Sequence, residues 1–238
     1  MSTFCEQILL SLEQKGIAAK AAHLQHYFKT GPGGYGEGDV FLGVPVPEQR
    51  KIAKAIAQDA SLAQLSELVQ HPYHEMRLTG LLALVYKFEK TRSESLRGEL
   101  VNFYLEHLDF INNWDLVDSS CYQILGAYYW KREKDLFFNL ATSPSLWRQR
   151  AAMISSFYWI RKREFSDALT LAEQLKTHSH DLMHKAVGWM IREIGKRDFE
   201  VANEFLKKHY SSLPRTALRY AIERFPEKLR QDFLKGRI

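Results

Sequence analysis

Cysteine is nearly missing from this chain. Its 238 residues carry two, Cys5 and Cys121. They stand far apart with no CxxC spacing, which excludes a disulfide framework and a zinc-finger pattern and fits a reducing cytoplasm. Cys121, three residues after Asp118, is expected to be a small buried hydrophobe. No apolar run reaches the eighteen residues or so that a membrane helix needs, so no membrane partner is expected. Met1 to Gly16 includes Glu6 and Glu13 and lacks the charged-then-apolar order of a secretion signal, so a cytoplasmic protein is expected. Alternating β-branched stretches are also missing, which predicts few or no strands. Charge of one sign is only slightly in excess: 33 lysines and arginines face 28 aspartates and glutamates, a formal net charge of +5. That balance favours polyanionic partners mildly and decides little by itself. GxSxG, HExxH, a Cys–His pairing and an EF-hand loop are all missing. His180 and His184 have helical i, i+4 spacing, but no accompanying Glu completes a zinc motif, and neither metal nor other cofactor is expected.

What is present reads as an all-α chain. Helices are expected at about 3–14, 17–29, 47–56, 61–70, 73–89, 93–107, 113–129, 131–142, 144–162, 164–177, 180–196, 199–211, 214–224 and 226–235. Five of the seven prolines (Pro47, Pro72, Pro144, Pro214 and Pro226) fall where helices should begin. A missing N–H costs little there. Ser143, Ser179 and the pair Asn112-Asn113 are candidate N-caps. Beneath this lies a degenerate repeat. Polar residues followed by small and apolar ones recur at Arg77, Asp115, Arg150, Lys185 and Arg219. A period in the mid-thirties with two helices per period is the mark of an α-solenoid, and with no TPR consensus the HEAT-like type fits best. We expect one domain over 1–238, curved, with the repeated polar positions on a concave basic face.

One segment breaks the pattern. Thr30 to Val46 holds Gly31, Gly33, Gly34, Gly36, Gly38 and Gly43. It lacks the Lys-Ser/Thr ending and the preceding strand of a phosphate-cradling loop, so the plainer reading is a loop packed by Tyr35 and Phe41.

Three constellations could carry chemistry. In Asn112-Asn113-Trp114-Asp115-Leu116-Val117-Asp118, Trp114 and Asp118 are four apart and share a helix face. With Val117, Cys121, Ile124 and Leu125 nearby, Asp118 is either an ionised acid facing cationic groups or a buried, hydrogen-bonded structural one. Asp115 reads as a first-turn partner of the helix dipole. The second constellation is Trp147-Arg148-Gln149-Arg150-Ala151-Ala152, where Arg150 either meets a phosphate or pairs with a carboxylate inside the repeat. The third is the helix from His180 to Lys196. Lys185, Trp189, Arg192 and Lys196 share one face, against an apolar face of Met183, Val187, Met190, Ile191 and Ile194. Cations for phosphates and an indole for a sugar or base suit a DNA backbone, and a solvated face with a half-buried tryptophan is the bland alternative. Trp114, Trp130, Trp147, Trp159 and Trp189 could also be mostly core.

Taken together, these pieces resemble the AlkD-type alkylpurine DNA glycosylases, a HEAT-like repeat family. The matching stretches run from about Tyr27 to Lys196. They are Tyr27-Phe28-Lys29, Phe41-Leu42-Gly43-Val44 with Pro47-Glu48-Gln49-Arg50, Trp114 to Asp118, Trp147 to Ala152, and Lys185-Ala186-Val187-Gly188-Trp189. The resemblance implies that Asp118 is the catalytic aspartate, that Trp114 and Trp189 contact the deoxyribose beside the lesion, that Arg150 lies near a backbone phosphate, and that Tyr27 belongs to the DNA-binding cleft. Lys29, Trp147, Lys185, Arg192 and Lys196 join them as expected DNA-binding residues. It further implies removal of cationic N3- and N7-alkylated purines from duplex DNA without a cofactor or a deep base pocket. A monomer acting at the bacterial nucleoid is expected, because a curved array with a concave DNA face needs no partner. Two departures stand out. The stretch Thr30 to Asp39 looks longer than its counterpart in the best-known members, and Asn113 precedes Trp114 where an aromatic can occur. Related HEAT-like proteins bind branched DNA without excising bases, so a non-catalytic DNA-structure binder is the alternative function, and a protein–protein scaffold is a third.

Overall fold

A computed structural model describes residues 2–238. Among the described residues it is helical with no strand, and one isolated parallel bridge joins Val40 to Tyr73. Fourteen α-helices follow one another among these residues: α1 (Thr3–Glu13), α2 (Ala18–Tyr27), α3 (Val46–Ile56), α4 (Leu62–Val69), α5 (His74–Lys90), α6 (Glu94–Glu106), α7 (Trp114–Asp118), α8 (Asp135–Ala141), α9 (Leu146–Arg161), α10 (Ser166–Leu175), α11 (Asp181–Gly195), α12 (Phe199–His209), α13 (Arg215–Ala221) and α14 (Glu227–Lys235). Among the described residues, no helix is long and apolar enough to cross a membrane. The chain divides into two compact units, one ending at Ser120 and the other Cys121–Ile238.

The expected repeat positions fall within the first five residues of the odd-numbered helices: Arg77 in α5, Asp115 in α7, Arg150 in α9, Lys185 in α11 and Arg219 in α13. In the second unit α9 packs on α11 and α11 on α13, while α8, α10 and α12 pack against this row. That is the two-layer stacking a helical repeat array uses to bury faces no single pair could cover. At Gly188 the two backbones of α11 and α13 come so close that a Cβ would lie 2.4 Å from the Ala217 carbonyl oxygen, so a side chain there would push the repeats apart. In the first unit α5 is the centre. It packs against α1, α3, α4, α6 and α7, and thirteen of its residues, His74 to Val85 and Phe88, are buried.

Four local expectations need correction. The helix expected over 113–129 is broken. α7 stops after five residues, Ser119 and Ser120 form a turn, and a π-helical turn follows at Tyr122–Gly126. The cause is side-chain competition for carbonyls: the Ser120 hydroxyl donates to the Leu116 carbonyl oxygen at 2.5 Å and meets the Tyr104 hydroxyl at 2.8 Å. The π turn is sealed by Trp159, whose indole N–H donates to the Gly126 carbonyl oxygen at 2.8 Å. Ser145, not Ser143, caps α9 by accepting the Arg148 N–H, and His180, not Ser179, caps α11 by accepting the Leu182 N–H on Nδ1. Pro214 and Pro226 occupy the N-cap position itself, where a fixed φ suits the entry and the absent N–H is not needed. Of the five tryptophans only Trp159 is fully buried; Trp114, Trp130, Trp147 and Trp189 are half-buried. Cys5 and Cys121 are both buried and form no disulfide.

The glycine-rich segment is an ordered run of turns. Phe41 is buried and the Tyr35 hydroxyl donates to the Tyr27 carbonyl oxygen at 3.1 Å. Gly43 has φ +81°, and a Cβ there would lie 2.2 Å from the Ile17 carbonyl oxygen. Both the left-handed backbone and the close approach require glycine. Gly43→Ala is therefore expected to destabilise the first unit by about 2 kcal/mol or more. A urea midpoint equal to the parent's would show that the loop relaxes without cost.

Candidate functional site

α7 is too short to hold itself in place, since an isolated helix of five residues has almost no intrinsic stability. Buried Leu116 and Val117 anchor it, and tethers fix its start. Asn113 is the N-cap and accepts the Trp114 N–H on Oδ1 at 2.8 Å. Its Nδ2 donates to Asp39 Oδ2 at 3.0 Å. Asp115 Oδ1 accepts the Leu116 N–H at 2.9 Å, as expected of a first-turn acid, and its Oδ2 takes a hydrogen bond from His74 Nε2 at 2.8 Å. His74 uses its other nitrogen on Asp39 Oδ2 at 3.0 Å, and Arg77 pairs with Asp39 Oδ1. Neighbouring Glu75, 1% exposed, accepts the N–H groups of Leu42, Gly43 and Val44 at 2.9, 2.8 and 3.2 Å, which fixes the end of the glycine-rich loop.

Both ring nitrogens of His74 face carboxylate oxygens, so both are placed to donate, as only the imidazolium does. Burial alone would pull its pKa down, but Asp115 and Asp39 raise it to about 9. Burial pushes Asp39 up in turn, and the hydrogen bond from His74, the Arg77 charge and the Asn113 amide outweigh it and hold the carboxyl below its ordinary value.

Over this charged network lies a row of rings. His74 stacks on Phe41 at 4.5 Å between centroids, Phe41 on Phe28 at 5.1 Å, and Phe28 on Trp114 at 5.3 Å, with interplanar angles of 24°, 20° and 18°. Tyr27 meets Trp114 edge-on at 6.2 Å and is 54% exposed. These rings, with Asp115, border an open cavity of about 310 Å³. Asp118 ends α7 one turn beyond Trp114 and is half-buried, not sealed in the core. Lys29 is exposed, in the left-handed region at φ 52°, with its ammonium 5.9 Å from the Tyr35 ring centroid. Tyr27, Trp114 and Asp118 all belong to the first unit, where Tyr27 and Trp114 meet at the cavity.

The remaining expected residues belong to the second unit. Arg150 is 5% exposed and donates from Nη1 to the Leu182 carbonyl oxygen at 2.5 Å, joining α9 to the first turn of α11. Trp147 lies one turn earlier and is half-buried. Trp189 is half-buried and packs on Phe157 at 5.6 Å. The cations of its helix face all hold acids: Lys185 pairs with Asp181 at 2.8 Å, Lys196 with Glu193 at 2.5 Å, and Arg192 with Glu223. The hydrogen bond from Lys185 holds the Asp181 carboxyl below its ordinary value. The expected stripe of cations is therefore a stripe of ion pairs. The exposed Lys185–Asp181 pair contributes about 1 kcal/mol or less, so an incoming phosphate can displace Asp181 at small cost, whereas Lys196 holds the buried Glu193. His180 and His184 are engaged by backbone. His180 caps α11, and His184 Nε2 bonds the His178 carbonyl oxygen.

Sequence reasoning missed His74, Asp39 and Phe28. The one usable signal was His74-Glu75 with Arg77 three residues on, a dense set of ionisable groups in the first turn of an apolar helix. Their partner Asp39 lies in a glycine-rich loop with no period to link it to α5.

Comparison with known proteins adds the following. The chain is similar in fold to a solved structure described as a predicted DNA alkylation repair enzyme from Enterococcus faecalis. The TM-score is 0.69 at 16% sequence identity, with 90% of this chain and 98% of that chain covered. No curated protein matches the sequence. The sequence profile of the family described as DNA alkylation repair enzyme matches residues 8–225. A match over that extent means that this chain belongs to the DNA alkylation repair enzyme family, which gives it a role in the repair of alkylated DNA.

Proposed function

We propose that this chain is a monofunctional DNA glycosylase that hydrolyses the N-glycosidic bond of cationic N3- and N7-alkylated purines in duplex DNA and leaves an abasic site. The observation that carries the reading is the pair Trp114 and Asp118. Both are half-buried on α7, and Trp114 is held by the Phe28 stack beside exposed Tyr27.

The chemistry asks little of the protein. An alkylated purine already carries a positive charge and leaves as a neutral base, so no strong general acid is needed. The deoxyribose becomes positively charged as the bond lengthens. A carboxylate held nearby stabilises that charge and can orient the attacking water, and an indole face favours the same cation. Asp118 takes the carboxylate role, and Trp114 and Trp189 contact the sugar. Tyr27, Lys29, Trp147, Lys185, Arg192 and Lys196 contact the duplex, and Arg150 lies near a phosphate. Burial of Arg150 against Leu182 suits a guanidinium that organises the first turn of α11 as much as one that meets DNA directly.

The test is to incubate the pure protein with methylated duplex DNA and identify released bases by chromatography. Release of 7-methylguanine or 3-methyladenine with matching abasic sites is expected. Alkylated duplex left intact, with tight binding to branched DNA, would replace this reading by that of a non-catalytic DNA-structure binder. Binding of any duplex should weaken steeply with salt, because phosphate contacts release counterions.

A further inference from the structure

We infer that His74 is a positioning residue of this site: through Asp115 and Asp39 it fixes the start of α7 and thereby aims Trp114 and Asp118. The inference rests on the glycosylase reading above and concerns a residue that touches neither the sugar nor the base.

Trp114 lies between Asn113 and Asp115 in the chain, and each neighbour is held by the same device. His74 Nε2 holds Asp115 at 2.8 Å. His74 Nδ1 holds Asp39 at 3.0 Å, and Asp39 holds Asn113 at 3.0 Å. A single imidazole therefore ties both residues flanking Trp114 to α5, the most deeply buried helix of the unit. The same ring begins the stack His74–Phe41–Phe28–Trp114, so it also limits the tilt of the indole. Asp118 follows one turn later on the same helix, so rotation of α7 would displace its carboxylate.

The charged form is the one that works. Donation from both nitrogens needs the imidazolium. The ionisable groups facing it are Asp39 from the loop, Asp115 from α7, and Arg77 and Glu75 from its own helix. Arg77 is already committed to Asp39, and Glu75 to three backbone N–H groups. A structural pair could be formed by many residues. A ring with two oppositely directed donors, flat enough to stack on Phe41, suits this geometry specifically.

The test uses the full chain on methylated duplex in single turnover. In His74→Gln the catalytic rate is expected to fall about tenfold to a hundredfold, the scale set by roughly an ångström of misplacement. Duplex affinity is expected to change by less than about threefold, because the DNA-contacting side chains remain. In the Asp118→Asn background the same change should cost almost nothing further, since both act on one charge. Loss from simple unfolding would instead lower duplex affinity and persist in that background, and would overturn the inference. So would a parent rate in His74→Gln. Should that variant fail to fold, Asp115→Asn tests the same tether and is expected to lose rate alike; an unchanged rate there equally overturns it. A measurement on the parent protein is independent of any variant: ring 15N shifts of His74 should report an imidazolium at pH 7.5, and a neutral ring would refute the arrangement. Absence of base release by the parent would defeat the glycosylase reading itself, whereas release by the parent with full activity in His74→Gln defeats only the role of His74.

Discussion

Asp118→Asn is expected to lower the rate of 7-methylguanine release by about a hundredfold to a thousandfold, the usual loss when one preorganised electrostatic contact to a developing charge is removed. Duplex affinity should stay within about twofold. Asparagine keeps the shape and a carbonyl oxygen, and Asn113 and Asp115 hold α7 at its start. The amide loses the full negative charge that opposes the oxocarbenium-like sugar, and ground-state binding does not use that charge strongly. Single-turnover release and filter binding on the same samples separate the two effects. Equal release by variant and parent would remove Asp118 from the mechanism and leave Trp114, Tyr27 and Trp189 as binding residues only. A parallel loss of affinity would instead make Asp118 a structural acid of the kind its partial burial also permits.

The largest stability effect is expected at Asp39. Asp39→Ala removes the acceptor shared by Arg77, His74 and Asn113, which are 6%, 2% and 0% exposed, and leaves two buried cations without it. Breaking a buried pair from one side costs about 3–5 kcal/mol, more than most single substitutions. Scanning calorimetry should show the first unit melting about 10 °C lower. A shift under about 2 °C would mean that water enters and solvates both cations.

The same network makes a pH prediction. The folded pKa of His74 is raised from an ordinary 6.5 to about 9, so its stabilisation is fully present below about 6.5 and is lost as pH rises through about 9. Asp39 has the opposite sign. Its folded pKa is lowered from 3.8, so its contribution is present above that value and is lost as pH falls through the lowered one. Urea midpoints between pH 6 and 10 should therefore decline on the alkaline side in the parent, and that decline should shrink in His74→Gln. An identical alkaline decline in both proteins would assign it to other groups.

How far the sequence reached can be judged element by element. All fourteen expected helices have counterparts, because apolar spacing, proline placement and polar caps are local properties with local consequences. The repeat was legible for the same reason, since Arg77, Asp115, Arg150, Lys185 and Arg219 each fall within the first five residues of a helix. Helix 113–129 was misread where a tertiary contact intervened: Ser120 bonds Leu116 and Tyr104 and ends α7, and no propensity announces that. The α11 cations were legible as a face, but one of their partners, Glu223, comes from beyond α13.

The sequence by itself determined an all-α repeat chain and the spacing that sets Trp114 and Asp118 on one turn, for periodicity is written in neighbouring residues. Only the tertiary structure decided that Asp39, His74 and Asp115 join into one buried charged network beneath a row of stacked rings, and that Arg150 turns inward to the Leu182 carbonyl. Those outcomes depend on which distant groups share a space from which water is excluded. There an unpaired charge or donor is costly, and the chain settles where each finds a partner.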